Sequence, residues 1–188
     1  MLSVCGTWPA FWTANIPNWP DGGEIDIMEG VNNQDYYNHW AFHVGGTCSI
    51  AGGTQSAEID TYNCNVYAPD QSSNAGCGGY ATTDATYGDE MNDYGGGVYA
   101  MDWRSTGIRI WEFPPNAIPS DIQSGKPITS GWGEVTFPSP SIVTDFPSQW
   151  WIYAAESAIL ATIFTIIKSF LISRILLIEE STDSQILW

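Results

Sequence analysis

Apolar positions in the first 146 residues come in short runs broken by turn-forming stretches. Ile25 to Met28, Trp40 to Val44, Val98 to Trp103 and Ile108 to Phe113 read as strands. Gly22-Gly23, Gly45-Gly46, Gly52-Gly53, Gly78-Gly79 and Gly95-Gly96-Gly97 read as the turns or bulges between them. The run from Val98 to Trp103, then Ser105-Thr106-Gly107, then the run from Ile108 to Phe113 outlines a hairpin. No long helical period interrupts this part of the chain. The pattern predicts an all-β fold, an antiparallel β-sandwich. Residues 64–92 are rich in Gly, Asn, Ser and Asp and predict a long loop pinned by cysteines and ring packing. The Pro- and Ser-rich residues 114–140 predict mostly irregular structure.

The character changes near Trp150. From there to Ile178 the chain is strongly apolar, almost free of Gly and Pro, and compatible with a helix. A membrane-spanning helix needs about 20 predominantly apolar residues. Glu156, Lys168 and Arg174 interrupt this one, and its longest uncharged stretch, Ser157 to Ile167, is short for a span. Three readings follow for the tail. It is a membrane anchor through residues 150–178, a buried or amphipathic helix, or the product of a translated intron or frameshift. The last is the most economical. The expected organisation is therefore a domain over residues 1–149 and an apolar tail over 150–188.

One predicted strand carries unusual chemistry. Residues 23–30 read Gly-Glu-Ile-Asp-Ile-Met-Glu-Gly, with carboxylates at Glu24, Asp26 and Glu29. Two-residue alternation puts Glu24, Asp26 and Met28 on one face, and Ile25, Ile27 and Glu29 on the other. One β-bulge between Asp26 and Glu29 would bring all three acids to the same face. Alternating acids are often only the wet face of a strand, and an acid cluster can also bind calcium. The flanks argue for more. Trp12 and Trp19 lie just upstream, in Gly6-Thr-Trp-Pro-Ala-Phe-Trp12 and Pro17-Asn-Trp-Pro-Asp-Gly-Gly23. Flat aromatic rings beside paired carboxylates suit a carbohydrate cleft, where rings stack on sugar faces and acids break the glycosidic bond.

Composition narrows the partners. The chain has 188 residues, 44% of them hydrophobic, which suits one domain with a sizeable core. Its net charge is −16 with only five Lys and Arg, so a nucleic-acid backbone is excluded as a natural partner and an anionic membrane surface gains little. A neutral polysaccharide is compatible with that charge. Cys5, Cys48, Cys64 and Cys77 allow three disulfide pairings if all are oxidised. No Cys-x-x-Cys pair exists and only His39 and His43 offer imidazoles, so a structural zinc site has little support. Disulfides would imply an extracellular setting. The start, Met-Leu-Ser-Val-Cys, has neither the basic nor the apolar region of a secretory signal.

The motifs together resemble glycoside hydrolase family 16, in particular the fungal endo-β-1,3(4)-glucanases, or laminarinases. Trp8-Pro-Ala-Phe-Trp12 and Gly22-Gly-Glu-Ile-Asp-Ile-Met-Glu-Gly-Val-Asn-Asn-Gln34 carry the resemblance first. Phe42-His43, residues 63–78, Tyr87-Gly88, residues 95–103, residues 108–115 and Trp132-Gly133 extend it in order over roughly residues 5 to 146. The resemblance implies a concanavalin A-like jelly roll whose concave sheet forms the cleft. It also implies an incomplete one, with strands missing before Gly6 and no counterpart after about Ser148.

The resemblance further implies retaining hydrolysis of internal β-1,3 or mixed β-1,3-1,4 bonds in β-glucan, by a monomer, with no cofactor or catalytic metal and an extracellular or cell-wall location. It makes Glu24 the nucleophile, Glu29 the general acid/base and Asp26 their hydrogen-bonding neighbour. It places Trp12, Trp19 and His43 at the substrate. In a retaining enzyme the two carboxyl groups lie about 5–5.5 Å apart. The strand separates the two Glu α-carbons by roughly 13 Å, which inward-leaning side chains would have to narrow. Neighbouring acids do not ionise equally easily, and the raised pKa is expected on Glu29. His39 is expected at the surface, and Trp103 and Trp111 in the core. Two other functions remain open. One is a catalytically silent remnant that binds glucan. The other is a membrane-tethered transglycosidase that remodels cell wall.

Overall fold

The computed structural model describes residues 4–32, 37–50, 55–104 and 107–133, together with the backbone of two strands further on. Two sheets pack face to face. The first holds β1 (Ala10–Ala14), β2 (Glu24–Glu29), β3 (His39–His43), β4 (Glu58–Thr61) and β5 (Cys77–Tyr80) in the order β1-β2-β3-β5-β4, all antiparallel. The second holds β6 (Val98–Arg104), β7 (Gly107–Phe113), β8 (Arg174–Glu179) and β9 (Ile186–Leu187) in the order β7-β6-β8-β9. Here β6 and β7 form the predicted hairpin, with Arg104 opposite Gly107. The pairing of β6 with β8 is parallel, the exception among the described strand pairs.

Alternation explains the sandwich. Ile25 and Ile27 of β2 and Trp40 and Phe42 of β3 point inward and are fully buried. They meet Tyr99, Met101 and Trp103 of β6 and Ile108 and Ile110 of β7. Each such aliphatic side chain contributes about 1.5–3 kcal/mol by leaving water. The other face of the β6–β7 hairpin carries Val98, Ala100, Trp111 and Phe113. Ile118, Ile122 and Trp132 close over it, so residues 114–133 are not loose chain. They include the short helix Ser120–Gln123, and Asp121 fixes them by accepting from the Trp132 indole at 2.7 Å and the Ile128 amide at 2.6 Å. Trp103 and Trp111 are both core residues, as the alternation predicts.

Three elements escape the sequence pattern. β1 and β4 were not foreseen, and β5 lies inside the stretch expected to be a long loop, which also contains the helix Gly88–Asp93. Gly78 and Gly79 are strand residues, not a turn. A Cβ at Gly78 would stand 2.7 Å from the Trp40 carbonyl and 3.0 Å from the His39 ring, so this central strand approaches its neighbour more closely than a side chain permits. The Cys64–Cys77 disulfide ties the intervening segment to β5. Closing a loop of that length contributes about 3 kcal/mol by the chain-entropy argument.

The tail also departs from expectation where it is described. Arg174–Glu179 is a strand paired with β6, so the helical expectation for 150–178 fails over 174–178; beyond it Ile186–Leu187 pairs with β8. The remainder of the proposed span lies outside the described residues. Among the described residues no helix is long and apolar enough to cross a membrane.

The bulge in β2 is present. Asp26 pairs with Ala41 and Glu29 with His39, so three steps on β2 match two on β3. On the other side Trp12 pairs with Asp26 and Phe11 with Met28, so β1 skips Ile27. A bulge strands backbone groups that the ladder would have paired. Asn38, fully buried, supplies the replacement. Its Oδ1 accepts from the Glu29 amide at 3.1 Å, and its Nδ2 donates to the Ile27 carbonyl at 3.0 Å. Replacing Asn38 with Ala leaves both groups buried and unpaired. The expected loss is about 2–5 kcal/mol in urea unfolding; a midpoint within error of the parent would show that the bulge does not depend on this amide.

Candidate active site

The bulge sets the composition of one sheet face. Glu24, Asp26 and Glu29 now share it, and register places Trp12 beside Asp26, His43 beside Glu24 and His39 beside Glu29. Tyr80 of β5 follows His39. Trp12 and Trp19 are 40% and 38% exposed, which removes them from the core and leaves their rings available to a ligand.

Each carboxylate has its own partner. The Trp19 indole donates to Glu24 Oε2 at 2.5 Å. Asp26 is buried, and its Oδ2 lies 3.1 Å from His43 Nε2. The Trp8 indole donates to Glu29 Oε1 at 2.7 Å. Glu29 Oε2 lies 4.0 Å from His39 Nδ1, and His39 Nε2 lies 3.7 Å from Asp60 Oδ2. Both histidine rings lie over glycines. A Cβ on Gly76 would come within 2.7 Å of His43 Nδ1, and one on Gly78 within 3.0 Å of His39 Nε2. Only glycine leaves room for either ring.

Two sequence expectations need correction. His39 is not an uncommitted surface residue: it sits between two carboxylates and packs on Tyr80 with ring centroids 4.4 Å apart. Its position opposite Glu29 follows from the bulge, which alternation alone does not supply. Nor is Glu29 the acid with the raised pKa. Burial pushes it up, but His39 and the Trp8 indole stabilise its charge and hold it below the ordinary carboxylate value. Glu24 and Asp26 are raised instead. Burial is the main cause for both, helped at Glu24 by the charge of Asp26 and opposed at Asp26 by His43.

The imidazoles shift upward. Burial disfavours their charge, and facing carboxylates overcome it. Asp60 and Glu29 lift His39 to about 9, and Asp26 with Glu24 raises His43. Glu24, Asp26 and His43 offer donor atoms within 4.8 Å of one another, a spread that one cation could bridge. The Asp26–His43 ion pair already commits two of them. Trp8, Asn38, His39 and Asp60 are the site residues that sequence reasoning missed. Trp8 stood in a motif already singled out, so its place two residues before a cleft strand was a usable signal.

Comparison with known proteins gives the family. The sequence profile of XgeA-like catalytic GH16 domains matches residues 1–153. The chain belongs to glycoside hydrolase family 16. A probable glycosidase of Schizosaccharomyces pombe is 47% identical over 146 residues, covering 76% of this chain and 32% of its own length. The endo-1,3(4)-β-glucanase xgeA of Emericella nidulans is 41% identical over 132 residues, 70% of this chain and 20% of its own. Among solved structures, the GH16 laminarinase 16A of Phanerochaete chrysosporium, with β-glucans in its donor and acceptor sites, matches with TM-score 0.67 and 40% identity, over 73% of this chain and 46% of that one. The family 16 chain thus spans a third or less of these two curated relatives and under half of the solved one. The mostly antiparallel sandwich is that of the family.

The charge pattern in this family 16 site makes a testable statement about stability. His39 binds its proton more tightly folded, at about 9, than unfolded, at about 6.5. Its contribution is therefore complete below about pH 6.5 and lost as pH rises toward 9. His43 acts in the same direction. Unfolding free energy should fall by roughly 1–3 kcal/mol between these limits. The His39→Gln variant should flatten that fall; an equally steep fall in the variant would refute the assignment.

Proposed function

We propose that this chain carries the catalytic face of an endo-acting β-glucan hydrolase that cleaves internal β-1,3 or mixed β-1,3-1,4 bonds with retention. The observation that carries this reading is the bulge-aligned row of Glu24, Asp26 and Glu29, flanked by exposed Trp12 and Trp19. In this reading Glu24 attacks the anomeric carbon, and Glu29 protonates the leaving oxygen and then activates water. Asp26, buried between them and paired with His43, shares the proton burden that burial imposes on Glu24. Trp19 serves twice, since its indole N–H orients Glu24 while part of its ring stays exposed for a sugar face. His43 positions Asp26 and reaches the sugar from the neighbouring strand.

The free site explains why role and charge must be separated. With Glu29 ionised beside His39 and Glu24 raised by burial, the site without substrate does not hold the protonation pattern of the first chemical step. Apo geometry and charge commonly tighten only in the substrate complex. A sugar that stacks on Trp12 and excludes water would disfavour the separated charges of Glu29 and His39 and return a proton to Glu29.

The disulfide and the net charge of −16 support an extracellular, glucan-facing role. The laminarin assay is the direct test. Glu24→Gln should reduce sugar release on the order of 10⁴-fold while leaving the unfolding midpoint unchanged. Parent-level activity in that variant would remove Glu24 as nucleophile. A parent chain that folds cooperatively and binds laminarin without cleaving it would instead favour the silent glucan binder.

A further inference from the structure

His39 is held by more geometry than an incidental surface imidazole needs. β4 pairs with β5 at Glu58–Tyr80, Ile59–Gly79 and Thr61–Gly78, so Asp60 is an extra residue on β4. This second bulge turns Asp60 toward the cleft face, where its carboxylate meets His39 Nε2 at 3.7 Å. The opposite nitrogen, Nδ1, faces Glu29 at 4.0 Å. Tyr80 packs on the ring, and Gly78 clears the space beneath it. Two bulges, one glycine and one aromatic ring therefore aim a single imidazole at the outer acid of the catalytic row.

We propose that His39, gripped by Asp60, is the positioning residue of Glu29 and stores the proton that Glu29 delivers to the leaving oxygen. This rests on the hydrolase reading of the site given above. The Glu29–His39 pair carries one proton. Before substrate binds it resides on Nδ1 of His39, with Glu29 ionised. When substrate excludes water, the proton moves from Nδ1 to Glu29 Oε2, which requires the two side chains to close by about 1 Å to hydrogen-bonding distance. Glu29 then gives it to the departing glycosidic oxygen as the bond to the anomeric carbon breaks. The water that later attacks the anomeric carbon returns a proton to Glu29, and the pair is restored. Asp60 stays ionised throughout and steadies the charge on the ring.

The charged surroundings of His39 are consistent. Glu29 from β2 and Asp60 from β4 face it directly, Tyr80 of β5 covers it, and Glu58 stands across from Tyr80. Asp26 and His43, one step along the sheet, form their own ion pair. Burial opposes the charge on His39, yet the two carboxylates raise it to about 9, while His39 lowers Asp60 against burial.

The test has two arms on the full 188-residue chain. NMR titration of the His39 ring, without substrate, should give a midpoint near 9 that falls by more than one unit in both Asp60→Asn and Glu29→Gln. Laminarin kcat/KM should lose its basic limb at a pH at least one unit lower in His39→Gln than in the parent, with Asp60→Asn between them. A His39 midpoint near 6.5 in the parent overturns the proposal. So does a basic limb that stays in place in both variants while kcat alone drops, since that is a merely structural role. If His39 titrates as expected but the parent releases no sugar, the grip on Glu29 stands and the hydrolase reading fails.

Discussion

The site depends on a single extra residue in β2. Strand geometry alternates side chains with period two, so Glu24, Asp26 and Glu29 share a face only if the register slips once between the second and the third. Both neighbouring strands record that slip, and both do so on the same side of Asp26. A slip inside a central strand is costly because it leaves amide and carbonyl groups buried without ladder partners. Asn38 offsets that cost with one side chain that accepts from Glu29 and donates to Ile27. The Asn38 backbone N–H in turn donates to Thr86 Oγ1 at 2.8 Å, which ties the bulge to the segment before the Gly88–Asp93 helix. The core benefits as well, because Ile25 and Ile27 stay inward on either side of Asp26.

Crowding three acids on one buried face creates the second constraint. The protein answers it with cations and indoles rather than with solvent. His43 meets Asp26 and His39 meets Glu29, while Trp19 and Trp8 donate to Glu24 and Glu29. Each imidazole needs space directly above β5 or the turn leading into it, and Gly78 and Gly76 provide it. The sequence Gly76-Cys-Gly-Gly-Tyr80 is therefore not a loop signature. It is a strand trimmed of side chains so that two histidines can lie across it.

That same trimming explains what was hidden in the sequence. The strands with alternating large residues, β2, β3, β6 and β7, were legible because their pattern reflects burial. The acid motif, the need for a bulge and the exposed tryptophans were legible because each violates a local expectation. β5 was not, because glycine carries no periodicity, and it is also punctuation in most contexts. His39 was misread for a related reason. Its role comes from which residues stand across two ladders, both shifted by bulges, and cross-strand register is not encoded within one segment. The misassigned pKa of Glu29 followed directly, since of its two stabilising partners Trp8 had no assigned role and His39 was placed at the surface.

The three acids differ in their charge partners, and this difference fits the proposed double-displacement reaction better than three equivalent carboxylates would. Glu24 and Asp26 are both raised, chiefly by burial, so they compete for a proton. Glu29 faces a cation and an exposed indole, so its charge responds to whatever enters the cleft. A nucleophile must hold its charge state until bond formation, whereas a general acid/base must change its own twice per cycle. In the proposed reading His43 and the Trp19 indole, which favour the charged form of Glu24 against burial, suit the first demand, and a proton-bearing neighbour suits the second. In that reading the fold meets both within one strand, because the bulge sets Glu29 opposite His39 where an unbroken register would set it opposite Asn38.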